Sequence, residues 1–494
     1  MLVNSFLNNL LLFLIITPIL GMLSILFISN NNSILIKKIT LFFSLIAFIL
    51  SLLIWIFFDT VYTRYQFVYD FKWAPLTNLE LSFGIDGISI FFILLSTFLI
   101  PICLIGSWIT IKKSPKLYYN AFLSIELFLI LVFSVRDILF FYIFFESILI
   151  PMFIIIGIWG SRERKIRASY LFFLYTLFGS LLMLLSIIYI YYFVGTTEYE
   201  TILMFNFNFF EQKIIWLAFF ISFAAKVPML PLHIWLPEAH VEAPTAGSVL
   251  LAGILLKLGT YGFIRFSLPL FYKASIYFTP FIFSLSILGI IYTSFTAIRQ
   301  TDLKRIIAYT SVAHMNLVVI GIFSFNIIGL EGALIQSLSH GFVSSALFLI
   351  IGVVYDRYHT RLVIYYSGLA HTMPLFSLIF LFFTMANIAL PGTSSFVGEF
   401  LIFMGIFKIS TIITFLSAIS MILGGAYSLW LLNRVIYGNL KIQYIKNYED
   451  LNFREIFLFI PLIFATFFIG IFPEIFLGTL HGSCLNLISY LYIN

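Results

Sequence analysis

Runs of about twenty apolar residues follow one another along almost the whole chain, and a helix needs a run of about that length to cross a hydrocarbon layer about 30 Å thick. They fall near residues 10–29, 34–58, 88–110, 119–135, 138–159, 168–194, 213–235 and 245–267. Further runs lie near 277–298, 304–326, 331–353, 372–390 with a continuation to 408, 411–437 and 456–479. Backbone groups find no water to bond within lipid, so each run is expected to be a helix. The expected fold is an all-α polytopic membrane protein with about fourteen transmembrane helices. Composition agrees: 62% of the 494 residues are hydrophobic and 10% are charged, against about 25% charged in an ordinary soluble chain. That leaves too few polar side chains to cover a soluble surface, which excludes a soluble enzyme, a nucleic-acid binder and a disordered scaffold. The polar intervals at 59–87, 196–212 and 438–455 are too short for a separate soluble domain.

An even number of spans places both termini on one side of the membrane, and the basic residues indicate which. Eighteen of the 27 Lys and Arg residues fall in connections on the opposite side, among them Lys37, Lys112, Arg162, Arg164, Lys304, Arg305, Arg361 and Lys446. Seven fall on the side of the termini: Arg64, Lys72, Arg136, Lys213, Arg265, Lys273 and Lys408. The positive-inside rule puts the larger group on the matrix or cytoplasmic side and both termini outside. The N-terminal segment runs almost directly into an apolar stretch, without an Arg/Ser-rich presequence or a small-residue cleavage site. Cys103 and Cys484 are the only cysteines, too few for an iron–sulfur cluster and no disulfide framework.

The two remaining lysines, Lys226 and Lys257, lie inside apolar runs. Lys257 is about 20 Å along a helix that starts at Pro244, beyond easy reach of an interface. A charged group near the bilayer centre costs at least ~2.5 kcal/mol and usually faces a bundle interior or a hydrated cavity. Glu146, nine residues after Asp137, lies about 14 Å into its run. Glu126, His314, His340 and Glu399 are similarly placed in other runs. One such residue could be a packing ion pair, or a neutral imidazole bonding a neighbouring helix. Acids, lysines and histidines at similar depth on many helices instead suggest a proton path, with Glu126 and Asp137 as auxiliary members. His233, Glu238, His240 and Glu242 sit in or beside a Pro-rich turn and most of them read as structural, with a part for His233 in the proton path left open; His359, His371 and His481 read as interfacial.

Two helices read as broken. Pro228 and Pro231 follow Lys226 at once, and Pro391 and Gly392 come shortly before Glu399. Proline removes a backbone donor and clashes with the preceding turn, which a bilayer tolerates only where protein or water lines the break. The breaks fall in the seventh and twelfth spans, five apart, as in transporters built from inverted repeats. This suggests two inverted five-helix repeats, spans 4–8 and 9–13. The corresponding division is residues 1–118 for the first three helices, 119–270 and 271–437 for the repeats, and 438–494 for the last helix. No P-loop and no dinucleotide fingerprint is present, and no redox centre or metal is expected on this chain.

The segments FYIFFESILIPMFIIIGIWGSRERK, KVPMLPLHIWLPEAHVEAPTAGSVLLAGILLKLGTYGFIRF, DLKRIIAYTSVAHMN, LSHGFVSSALF and LPGTSSFVGEFLI resemble the antiporter-like, proton-translocating membrane subunits of NADH:ubiquinone oxidoreductase, respiratory complex I, in their mitochondrial form. The likeness covers nearly the whole chain from about residue 85 onward. It implies fourteen helices with two inverted five-helix repeats. It also implies the first-half pair Glu146 and Lys226, the central Lys257, the connecting His314 and His340, and the terminal acid Glu399. All six positions are present. The resemblance implies proton translocation coupled to redox chemistry elsewhere, with NADH, FMN, iron–sulfur clusters and ubiquinone used by other subunits. The implied partners are other membrane-arm subunits, including neighbouring antiporter-like ones, and the lipid bilayer, with no nucleic acid. The implied location is the mitochondrial inner membrane with both termini toward the intermembrane space, the alternative being a bacterial plasma membrane. The alternative function is a subunit of a multisubunit sodium/proton antiporter.

Overall fold

The computed structural model describes residues 9–74, 79–441, 443–444 and 449–493; Lys446, counted above among the basic residues, lies outside the described residues. Among the described residues eleven helices are long and apolar enough to cross a membrane, and Leu10–Leu26, Pro374–Asn387 and Ser394–Phe407 are shorter apolar helices. Helix Phe209–Lys226 has spanning length but carries Glu211, Lys213 and Lys226. The structure is thus a mostly helical, membrane-type fold, with two departures from the expected layout. The interval 59–87 contains a two-stranded antiparallel sheet, Gln66–Ala74 paired with Leu79–Ile85, because β-branched and aromatic side chains such as Val68, Tyr69, Phe71 and Phe83 favour extended backbone. The run at 456–479 is also not one helix. Phe453–Ile471 stops before Pro473, and Glu474–Ile493 starts a new helix, since proline restricts the preceding residue and cannot continue the ladder.

The chain folds as two compact units. The first comprises Met1–Lys226, Lys257–Phe278 and Gly478–Asn494. In it, helix Leu10–Leu26 lies against Ser33–Ile56 and Pro115–Ser134. Helix Phe209–Lys226 lies against Lys165–Val194 through Gly179, where a Cβ would come within 3.2 Å of the Ala225 Cβ. Without a hydrophobic force between helices in lipid, such small residues allow the close approach that dispersion needs. Backbone bonds tie the connections together. Arg136 N–H donates to Ser82 O at 2.9 Å, Ile138 N–H to Thr197 O at 3.0 Å and Tyr199 N–H to Arg136 O at 3.1 Å.

The second unit comprises Val227–Leu256 and Thr279–Leu477. Helix Ile327–Tyr358 is its centre and crosses Ser394–Phe407 closely. Glycines on both helices set that crossing. A Cβ on Gly398 would stand 2.7 Å from the backbone N and Cα of Gln336, and one on Gly405 would stand 2.5 Å from Gly329 Cα. Asn326 caps the first of these helices by accepting from Gly329 N–H at 2.7 Å and also donates to Gly405 O at 2.7 Å. The second helix follows the Pro391–Gly392 break, where Gly392 adopts φ +91, a left-handed conformation that glycine takes without strain.

Candidate functional site

In the first unit the site forms around helix ends. Lys226 is the last residue of helix Phe209–Lys226, because Pro228 and Pro231 cannot extend the ladder. The free carbonyls at a helix C-terminus carry partial negative charge and favour an ammonium group there. Glu146 lies at a second break. Pro151 cannot donate to the carbonyl of Ser147, and the helical segment Ile138–Ser147 gives way to Leu149–Trp159. Lys226 Nζ stands 3.9 Å from Glu146 Oε1, with the side chains 5% and 14% exposed. The same Nζ donates to Phe145 O at 2.7 Å and sits 3.1 Å from the Phe145 ring centre. The ion pair is therefore loose, and the backbone carbonyl and aromatic face give the ammonium other partners.

Lys257 is fully buried in Thr245–Leu270, a helix whose most apolar stretch is buried throughout. Its neighbourhood carries π-helical turns at Leu251–Leu255 and Phe263–Ser267, a distortion that often marks functional positions. The helices of the two lysines touch at Gly262 and Phe223, where a Cβ on Gly262 would meet the ring at 2.3 Å. Glu126 is fully buried in Pro115–Ser134, and neither of its carboxyl oxygens has a hydrogen-bond partner among the described residues. Asp137 does different work. It caps the helix starting at Ile138 by accepting from Leu139 and Phe140 N–H at 2.8 and 3.1 Å, and it accepts from the Thr197 hydroxyl. Burial pushes its carboxyl up to about 6.

In the second unit the expected residues meet directly. His314 Nδ1 stands 3.2 Å from Glu399 Oε1, and the His314 and His340 rings are 5.8 Å apart between centres. The Glu399 Oε1 atom also accepts from Gln336 Nε2 at 3.1 Å, while Gln336 Oε1 accepts from Ser339 at 3.0 Å. A void of about 10 Å³ is bordered by His314, Asn387, Glu399 and Tyr427, enough for about one water-sized probe. Tyr427 bonds the Asn387 side chain. Gln336, Asn387 and Tyr427 escaped the sequence reading, which sought ionisable groups. Gln336 in LIQSLSH and Asn387 in TMANIALP are polar residues inside apolar runs, and that signal would have found them.

Four basic residues counted as loop charges are buried instead, among them Arg136, which lies 3.5 Å from Asp70 and 3.2 Å from Glu200. Arg361 is fully buried, bonds the Val241 carbonyl and lies 3.9 Å from Glu242 and 3.8 Å from Asp302. Lys304 donates to Ala243 O at 2.9 Å, and Arg265 pairs with Asp86 at 2.6 Å. His240 stacks on Phe348 at 4.7 Å and Glu238 pairs with Arg305 at 2.6 Å, so the Pro-rich turn holds structural contacts. Among the described residues, no three or more His, Cys, Asp or Glu are grouped to hold a metal ion. Glu146, Lys226, Lys257, His314, His340 and Glu399 carry side chains of types that exchange protons without any heavy-atom bond being made or broken.

Residues 135–424 match a family model described as "NADH:quinone oxidoreductase/Mrp antiporter, TM". The chain is 57% identical over 477 residues to NADH-ubiquinone oxidoreductase chain 4 of Marchantia polymorpha, covering 97% of this chain and 96% of that one. The protein of the same name from Arabidopsis thaliana has the same identity and coverage. Among solved structures, a chain of respiratory complex I from Thermus thermophilus with bound NADH matches with a TM-score of 0.88 and 27% identity, over 98% of this chain and 99% of that chain.

Proposed function

The chain belongs to the NADH:quinone oxidoreductase/Mrp antiporter transmembrane family, and from that premise we propose that it is an antiporter-like, proton-translocating membrane subunit of NADH:ubiquinone oxidoreductase, respiratory complex I. Full-length relatives carrying that enzyme's name favour this over a sodium/proton antiporter subunit. Copurification with NADH-oxidising subunits separates the two. Its partners are other membrane-arm subunits and the bilayer. NADH, FMN, iron–sulfur clusters and ubiquinone serve other subunits, and this chain's residues hold and move protons. The membrane is the mitochondrial inner membrane, with both termini toward the intermembrane space.

The observation that carries the reading is the buried Glu146–Lys226 pair at two helix breaks. At 3.9 Å the two charges attract by about 4 kcal/mol if the effective dielectric is near 20. Doubling the separation halves that, a change of roughly thirtyfold in how firmly Lys226 keeps its proton. Movement of Glu146 is thus a switch, and Lys257, His314, His340 and Glu399 are the relay it serves. Glu126, buried without a hydrogen-bond partner, is an auxiliary proton site, and Asp137 positions the Glu146 helix.

The inverted repeat of spans 4–8 and 9–13 is part of the proposal, as are the divisions 1–118, 119–270, 271–437 and 438–494. One correspondence supports the repeat. Asp137 and Asp302 each cap the second helix of their repeat, and each bridges to a later connection, at Glu198 and Leu362 respectively.

The test is NADH-driven proton translocation in sealed vesicles, per assembled complex, in Lys226→Met and Glu146→Gln. Each should lose at least about 90% of pumping, the loss a transition-specific electrostatic contribution of a few kcal/mol supports. Normal pumping in both leaves the pair a packing contact only.

A further inference from the structure

Asp86, Tyr261 and Arg265 have no part in the switch, yet they form a buried polar constellation on the helix of Lys257. Tyr261 and Arg265 follow Lys257 at intervals of four residues, along one side of helix Thr245–Leu270. Arg265 pairs with Asp86 at 2.6 Å, with the side chains 7% and 8% exposed. Arg265 Nε donates to the Tyr261 hydroxyl at 3.3 Å, and that hydroxyl donates to Phe133 O at 3.3 Å. The rings of Tyr65, Tyr199 and Tyr261 surround the guanidinium at 5.2, 5.7 and 5.5 Å. Asp86 and Arg265 also border a cavity of about 180 Å³, whose other wall includes Arg64, Glu200, Met204 and Asn486. Arg64, Glu200 and Met204 are exposed, so the cavity opens at the surface. The span order places these connections on the side of the termini.

We propose that Asp86, Arg265 and Tyr261 form a proton barrier that insulates Lys257 from water on the side of the termini. The inference rests on the proton-translocating reading of this chain. A guanidinium has five donors and no acceptor, so a fixed one cannot take up and pass on a proton arriving from the cavity. Asp86 holds the guanidinium in place and balances its charge, so the pair can persist in a buried site. The Tyr261 hydroxyl has its proton engaged by the Phe133 carbonyl and accepts from Arg265, so it offers no free end toward Lys257. The barrier keeps a proton held on Lys257 from escaping into the cavity while Glu146 and Lys226 change their separation.

Two measurements on the assembled complex in sealed vesicles test this. The double substitution Asp86→Asn with Arg265→Gln removes both charges and leaves neither unpaired. It should raise passive proton conductance after an acid jump, with no NADH present, at least tenfold over the parent. Thr260→Cys, at a buried position between Lys257 and Tyr261, should resist a membrane-impermeant maleimide added from the termini side in the parent background and react when the double substitution is also present. The native Cys103 and Cys484 are buried and give a low background. Labelling does not depend on pumping, so it distinguishes failure of the barrier from failure of the proton-translocating reading, which Lys226→Met tests separately. Labelling of Thr260→Cys in the parent background overturns the proposal, as does a double variant that stays both tight and unlabelled. If the double variant does not assemble, Tyr261→Phe, which removes one hydroxyl, must leak; tight vesicles with that variant overturn the proposal.

Discussion

Gly262→Ala sets two physical effects against each other, and the structure decides between them. Within a helix interior, alanine is favoured over glycine by about 1 kcal/mol, so propensity alone predicts a more stable protein. The structure predicts the reverse. The new Cβ would stand 2.3 Å from Phe223 Cε1 and 2.5 Å from its Cζ. Relief to an ordinary contact near 3.4 Å requires about 1 Å of movement. The ring cannot supply it by rotating. Phe223 is fully buried and its ring lies within 5.4 Å of Phe263, 5.9 Å of Phe219 and 6.0 Å of Phe145 between centres. Overpacking of this kind costs about 1–3 kcal/mol, which outweighs the propensity gain. The helices carrying Lys226 and Lys257 would have to part, and Lys226 is three residues from Phe223. A misplacement of about 1 Å can cost on the order of a hundredfold in rate. The assay is assembled complex on native gels together with NADH-driven pumping per assembled complex. Gly262→Ala should lower one or both by at least about tenfold, and Phe223→Leu in the same chain should recover most of the loss, a coupling that neighbouring residues show in double-mutant cycles. Parental assembly and pumping in Gly262→Ala, or no recovery with Phe223→Leu, refutes the reasoning.

Gly398→Ala should abolish assembly more completely, because its Cβ would meet backbone atoms of Gln336 at 2.7 Å and a backbone cannot rotate away; native gels check this. Gln336→Leu removes a 3.1 Å donor from Glu399, a bond to a charged group worth about 1.5–3 kcal/mol, and should leave an assembled complex that pumps several-fold more slowly. Single cysteines at Arg162 and Ser489 should react with impermeant reagents from opposite faces, and reaction from one face refutes the topology. Asp137 has its carboxyl pushed up by burial to about 6, so the folded state holds its proton more firmly than the unfolded chain, where the carboxyl titrates near 3.8. Stability from this residue is therefore present below that lower value and is lost as pH rises toward 6. Asp137→Asn, which keeps a capping oxygen, should flatten the melting temperature of the complex between pH 4 and 6, as read by thermal unfolding.

Helicity, membrane residence and the ionisable residues inside the apolar runs were legible in the chain itself. Each follows from a local rule. Twenty apolar residues have one way to satisfy their backbone in lipid, and a lysine such as Lys257 in the middle of such a run stands out against its neighbours. The breaks after Lys226 and before Glu399 were legible for the same reason, since a proline lacks its amide hydrogen in any environment. Local rules also misled where tertiary contacts intervened. Arg265, Lys304 and Arg361 look like surface charges at the ends of apolar runs, but Asp86, Ala243 O and the Val241 carbonyl receive them in the interior.

What only the tertiary structure decided is which of these groups meet. His314, Gln336 and Glu399 come from three separate helices, two of them consecutive, Leu303–Ile322 and Ile327–Tyr358, and the third Ser394–Phe407. Their contacts of 3.1–3.2 Å depend on glycines at 329, 398 and 405 that let two helices approach. Glu126 and Asp137 look alike as isolated acids, yet one is left buried without a hydrogen-bond partner among the described residues and the other is fully engaged as a helix cap. A residue's type and depth are properties of its own segment and can be read along the chain. Its partner is set by how separate helices cross, and in lipid that depends on shape complementarity summed over many small contacts, which no single segment encodes.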